Sequence, residues 1–127
     1  MSIYGIGSDI VDIDRIKKAL INKNLKKKIF SDSEMISIDG KANKIAGYAK
    51  KFAAKEAFSK ALGTGISRGI SFKDILINND KRGKPYITLL GKTKSIVNQT
   101  IKKKYKIFLT ISDERKYALA VVVITCL

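Results

Sequence analysis

No histidine occurs among the 127 residues. That excludes a Ser-His-Asp triad, a Cys-His pair and every histidine-containing zinc motif. Proton transfer is left to carboxylate, lysine, tyrosine or water, and any metal would be a hard cation held by oxygens. The single cysteine, Cys126, has no internal disulfide partner. This suits a reducing compartment, and we expect a cytoplasmic protein. Pro85 is the only proline, and there is no repeat or linker, so residues 1–127 read as one domain. No apolar run reaches the roughly 18 residues that a membrane helix needs. The start, MSIYGIGSDIVDI, has no basic region ahead of an apolar stretch and does not read as a secretory signal. Acids are scarce: Asp+Glu is 11 against a Lys+Arg of 26, for a net charge of +15. Such a field attracts polyanions such as nucleic acid, phosphate-bearing ligands or an acidic protein. A solvated basic surface in a lysine-biased chain explains it equally well, so charge alone does not choose a function.

Hydrophobic residues make up 45% of the chain, which argues for a folded core. Residues 3–11 read as a strand, with Gly5 and Gly7 where something approaches the backbone. Asp12 can cap a helix that carries Ile13, Ile16 and Leu20 at helical spacing, and residues 15–28 continue as a basic helix. Ser31 to Glu34 is a capping-box pattern before a short helix. Residues 43–62 read as a long helix stopped by Gly63 and Gly65. The period then changes. Residues 70–78 and 84–90 look like strands of a hairpin, residues 92–104 like a helix, and residues 106–112 and 117–125 like a second hairpin. The last strand is almost continuously apolar, so it is expected to be central and buried. The order β-α-α-α-β-β-α-β-β is α+β, with helices packed on one face of a mainly antiparallel sheet.

Glu56 is one of only three glutamates, and it sits in the alanine- and phenylalanine-rich run KKFAAKEAFSKALGTG. At about 100° per residue, Glu56 falls within the arc of Phe52, Ile45 and Ala49, with Lys60 in the same arc and Lys51 and Lys55 on the other side. An ionised carboxylate there is costly unless paired, hydrogen-bonded or metal-bound. It is either the partner of Lys60 in an i, i+4 ion pair or a functional carboxylate at the rim of a cleft. The run GIGSDI is not a dinucleotide fingerprint: Ile10 stands where the third glycine belongs. Asp9 within it is either a cap or a partner for Glu56. Two carboxylates meeting near lysines make a minimal Mg²⁺–phosphate site.

The pair GIGSDIVDIDRI and KKFAAKEAFSKALGTGI resembles the holo-[acyl-carrier-protein] synthase family, the small bacterial 4′-phosphopantetheinyl transferases. GKPYI and LTISDERKYALAVVVI match in order and spacing, so the likeness spans essentially the whole chain. It implies transfer of the phosphopantetheine arm of coenzyme A to a serine of apo acyl carrier protein, with Mg²⁺ required. It implies Asp9 and Glu56 as metal ligands and Lys60 beside the reacting phosphate. Lys51, Phe52 and Gly63 would line the coenzyme A site, and Gly83, Lys84 and Pro85 would meet the nucleotide from a neighbouring subunit of a homotrimer. The serine proton would pass to Glu56 or to a metal-bound water. Asp113 stands where many members carry histidine, so Arg115, Lys116 or Arg82 would have to replace that phosphate contact. Arg15 and Lys18 are implied as the docking contacts for the acidic carrier, against the alternative of a solvated lysine face. Two other classes compete. A basic nucleic-acid-binding module is favoured by charge, but lacks RNP, KH and zinc-finger patterns; an assembly protein without chemistry would tolerate loss of Asp9 and Glu56. By the resemblance, no membrane or nucleic-acid partner is expected.

Overall fold

The computed structural model describes residues 1–63 and 69–127. The chain runs β1 (Ser2–Asp12), α1 (Ile13–Ala19), α2 (Lys23–Ile29), α3 (Asp32–Asp39), α4 (Lys44–Leu62), β2 (Ile75–Asn79), β3 (Pro85–Leu89), α5 (Gly91–Ile101), β4 (Tyr105–Asp113) and β5 (Tyr117–Cys126). The α+β order read from the sequence holds. The strands form two antiparallel sheets, β1-β5-β4 and the hairpin β2-β3.

Local chemistry sets the boundaries. Asp12 caps α1 by accepting the Arg15 N–H at 3.2 Å. The basic stretch 15–28 is two helices, because α1 stops at Leu20 and the Asn22 side chain starts α2 by accepting the N–H groups of Asn24 and Leu25. Ser31 and Glu34 form a reciprocal capping box on α3. Asn43 caps α4, and Gly63 ends it in the left-handed region, φ 87°. Gly65 lies outside the described residues. Residues 72–74, expected as strand, form one 3₁₀ turn that delivers the chain into β2. Helix α5 stops at Ile101, earlier than its polar lysine tail suggests, because Lys102 turns left-handed at φ 62°.

Helix α4 is the centre of the molecule. It lies on the inner face of β1 and β5 and touches α1, α3 and β2 on its other sides. Ala53, Ala57, Phe58 and Ala61 are buried against Val122, Ile124 and Leu109 of the larger sheet. The strand glycines explain how closely helix and sheet approach. A Cβ on Gly5 would stand 1.9 Å from the Ala61 carbonyl oxygen, and one on Gly7 would stand 2.0 Å from that of Ala57. The two glycines therefore let helix backbone rest directly on strand backbone.

Strand β5 is central, as expected, but only one of its faces is covered. Ala118, Ala120, Val122, Ile124 and Cys126 alternate inward and are buried. The opposite face carries a row Ile6–Val123–Phe108 and a row Ile10–Leu119–Ser112 across the three strands. Ile6 is 61% exposed, Ile10 64% and Phe108 49%.

Candidate active site

Period-two alternation places Gly5, Gly7 and Asp9 on the face of β1 that α4 covers. The same contact that buries the glycines carries Asp9 to the helix turn holding Glu56 and Lys60. Asp9 and Glu56 line one cleft of about 390 Å³, together with Asp12, Arg15 and Phe52. Glu56 is half-buried. Burial first, and then the nearby Asp9 carboxylate, push its carboxyl above the ordinary value, while Lys60 pulls it back.

Lys60 does not pair with Glu56. Its ammonium donates to Asp9 Oδ1 at 3.1 Å and to the Ser8 carbonyl at 3.0 Å. A wheel drawn for one helix could not show this, since the partner lies 51 residues away. The wheel also mislaid the lysines. Phe52, Glu56 and Lys60 form the open side of α4, and Lys51 and Lys55 are buried. Lys55 Nζ donates to Glu34 Oε1 at 2.7 Å and to the Phe72 carbonyl at 2.7 Å, and burial brings its pKa down to about 8 against the pull of Glu34. Lys51 donates to the Ile77 carbonyl, and burial lowers its pKa too. The second Glu34 oxygen accepts the Ile77 N–H at 3.0 Å. These lysines can lie inside because each finds an oxygen there.

The other residues expected at the site fall into two groups. Phe52 separates the acidic cleft from a larger, mostly apolar cavity of about 860 Å³ between α1, α2 and the 3₁₀ turn. Arg15 lines the acidic cleft and is exposed; Lys18 is exposed on the same helix, outside the cleft. Lys51, Gly83 and Pro85 line a different cavity of about 350 Å³, with Asp113. Gly83 has φ 84° in the β2-β3 turn, and Lys84 beside it is exposed. Among the described residues, nothing lies within 4 Å of where a Cβ on Gly63 would stand. One chain thus brings Asp9, Glu56, Lys60, Phe52 and Arg15 together, and keeps the 83–85 turn apart from them. Among the described residues, the ion-pair partner of Asp113 is Lys50, at 3.9 Å. Arg82, Arg115 and Lys116 are all exposed.

Among the described residues no group of three His, Cys, Asp or Glu side chains could hold a metal. A magnesium ion needs only one or two carboxylates, with water and phosphate oxygens completing its shell. Two acids on one cleft, one of them pushed up by the other's charge, fit that requirement. No helix of the described residues is long and apolar enough to cross a membrane.

Comparison with known proteins agrees with the fold. The chain is 49% identical over 125 residues to holo-[acyl-carrier-protein] synthase of Pelagibacter ubique, covering 98% of each chain. It is 43% identical over 122 residues to the synthase of the same name from Fusobacterium nucleatum, covering 96% of this chain and 98% of the other. The crystal structure of the Neisseria meningitidis synthase superposes with a TM-score of 0.85 at 36% identity, over 97% of this chain and 98% of that one. The Bacillus anthracis synthase, solved in complex with CoA (3′,5′-ADP), gives 0.79 at 35% identity, over 98% and 97%. Residues 5–122, from the first strand glycine to the middle of β5 and with the whole acidic cleft between them, match one family profile, and the chain belongs to the 4′-phosphopantetheinyl transferase superfamily.

Proposed function

We propose that the chain moves the 4′-phosphopantetheine group of coenzyme A onto a serine of apo acyl carrier protein, giving the holo carrier and adenosine 3′,5′-bisphosphate. The observation that carries this reading is the cleft shared by Asp9 and Glu56, with Lys60 at its rim, in a chain of this family. Relatives solved with coenzyme A support the donor. The reaction serves fatty acid biosynthesis in the cytoplasm.

Asp9 and Glu56 are the residues that would hold Mg²⁺, which would offset the charge of the pyrophosphate when bound. Lys60, released from Asp9 and Ser8, adds positive charge where the leaving group becomes an anion. The carrier serine attacks the β-phosphorus, and its proton passes to Glu56 or to a water beside it. The raised proton affinity of Glu56 suits it to that role. Phe52 walls the cleft from the side of the apolar cavity. Arg15 stands at the cleft with Lys18 further along α1, where an acidic carrier would present its serine.

The same reading makes the protein a homotrimer. The exposed apolar rows on β1, β5 and β4 suit contact between copies. The 83–85 turn lies away from the acidic cleft of its own chain, so it would meet a nucleotide bound at a neighbour's cleft. The test is incubation with coenzyme A, Mg²⁺ and apo acyl carrier protein, followed by mass spectrometry. A gain of about 340 Da on the carrier is the expected product of this phosphoryl transfer. An unchanged carrier mass would reject the activity, and tight sequence-dependent binding of nucleic acid would then favour the basic binding module.

A further inference from the structure

The buried polar cluster on the far side of α4 takes no part in the chemistry above. Glu34 and Lys55 are both 0% exposed at their side chains, yet they form an ion pair at 2.7 Å. The pair ties together the cap of α3, α4, the 3₁₀ turn and β2. Glu34 Oε1 accepts Lys55 and the Ser31 N–H that opens α3, and Oε2 accepts the Ile77 N–H of β2. Lys55 also donates to the Phe72 carbonyl in the 3₁₀ turn, and its ammonium lies 5.4 Å from the centre of the Phe30 ring. Lys51, one turn earlier on α4, takes the carbonyl of the same Ile77. Both backbone groups of Ile77 are therefore claimed by charged side chains, on the open edge of a two-stranded sheet.

We propose that the Glu34–Lys55 pair is a positioning device that fixes the rotation of α4 about its axis, and so the direction in which Glu56 faces Asp9. Burying an ion pair gains little stability, since apolar replacements of similar size are often as stable. Its distinctive product is direction: charge-assisted hydrogen bonds hold one geometry. The sheet side of α4 supplies shape rather than fixed hydrogen bonds. There, alanines meet Gly5 and Gly7, and Phe58 packs among Val122, Ile124 and Leu109 through contacts that carry no preferred direction. Among the described residues, the polar side-chain contacts from α4 to the larger sheet are Lys60 to Ser8 and Asp9, which the proposed reaction releases, and the long Lys50–Asp113 pair at 3.9 Å. Lys55 directly precedes Glu56, about 100° round the helix. Side-chain ends lie about 6 Å from a helix axis, so a turn of about 10° moves the Glu56 carboxylate about 1 Å. Misplacement on that scale can cost about a hundredfold in rate.

The inference rests on the proposed transfer activity for its kinetic arm only. Wild type, Glu34→Gln, Lys55→Met and the double variant are compared as full-length protein. Thermal melting and hydrogen exchange of the α4 amides are measured beside kcat and the KM for coenzyme A. The single variants are expected to melt lower, because each strands one buried group. The double variant regains most of the lost Tm, yet keeps a kcat at least about tenfold down with a KM within about twofold, the pattern of an interaction needed only in the transition state. Its α4 amides exchange faster than in wild type. A double variant with wild-type kcat, or variants whose kcat simply follows their Tm, would overturn the assignment. If the double variant does not fold, Glu34→Gln alone decides by the same split, since it keeps the side-chain shape and leaves one acceptor oxygen where Lys55 and Ile77 each need one. A wild type that transfers nothing rejects the activity instead. The exchange data then decide on positioning, and unchanged α4 exchange in the variants would end it.

Discussion

Adding a single methyl group at Gly7 should separate the two acids of the cleft. The new Cβ would stand 2.0 Å from the Ala57 carbonyl oxygen and 2.5 Å from the Ala61 nitrogen. Both obstacles are helix backbone, so no side chain can swing away. Going from 2.0 Å to the 3.4 Å of an ordinary contact requires α4 to withdraw by about 1.4 Å. Overpacking of this kind costs about 3 kcal/mol, at the upper end of the usual range because the backbone itself must shift. At about 4 °C per kcal/mol, the melting temperature should fall by roughly 12 °C. Gly63→Ala is the control for stability. It adds the same methyl group where no described residue lies within 4 Å, and the strain is that of φ 87°. That strain costs about 1 kcal/mol, or roughly 4 °C. The assay is circular dichroism melting of both variants, with transfer to apo acyl carrier protein measured well below either midpoint. There Gly7→Ala should be down by about a hundredfold, the cost of an ångström-scale misplacement. A Gly7→Ala drop in Tm no larger than that of Gly63→Ala would refute the argument from close backbone contact.

Asp9→Ala and Glu56→Ala should each abolish Mg²⁺-dependent turnover while leaving the far-ultraviolet circular dichroism unchanged, and Mg²⁺ with coenzyme A should raise the Tm of wild type but of neither variant. Glu56 holds its proton to higher pH in the folded chain than its ordinary value of 4.5. Between those two values the folded state binds more protons than the unfolded state, so this group's contribution to stability falls as pH rises. In chelator, Glu56→Gln should therefore gain Tm relative to wild type as pH rises above the ordinary 4.5 and through the group's raised titration; a constant gap would show that Glu56 is not perturbed. Reversing charge at Arg15 and Lys18 together should raise the KM for the carrier more than that for coenzyme A, and equal effects would remove the docking role. Ile6→Lys with Phe108→Lys should lower the mass seen by light scattering, and a mass that stays the same would place the subunit contact elsewhere.

What the sequence disclosed was mostly local. Caps at Asp12 and Ser31, and the stop at Gly63, were legible because each is settled within a few residues. The strand glycines announced a close approach, and the structure supplies its partner, the α4 backbone. Asp9 and Glu56 could be named because a glycine-bearing strand and an acid in an alanine-rich helix are both unusual. Glu34 shows where this reading fails. Its capping box is complete in four residues and seems to account for it, yet its remaining hydrogen-bonding capacity reaches Lys55 and Ile77, 21 and 43 residues away. The helical wheel set Lys51 and Lys55 opposite the apolar arc, where a charge is ordinarily solvated. The hint that could have corrected this was the i, i+4 lysine pair inside a run of alanines, with very few glutamates available as partners. The uncovered apolar face of β5 was hidden for a similar reason: a continuous apolar strand reads the same whether its second face meets a helix or another chain.

The hold of Lys60 on Asp9 has a consequence for how the cleft behaves before any substrate arrives. An ammonium already occupies the acid that an incoming divalent ion would seek. The empty protein thus carries its own substitute counter-ion, and a lone cation must displace a tethered rival to enter. A cation arriving with a polyphosphate meets no such contest, because the phosphate gives the lysine somewhere to go. On the proposed reading, loading by the nucleotide–metal pair would thereby be favoured over loading by the free ion.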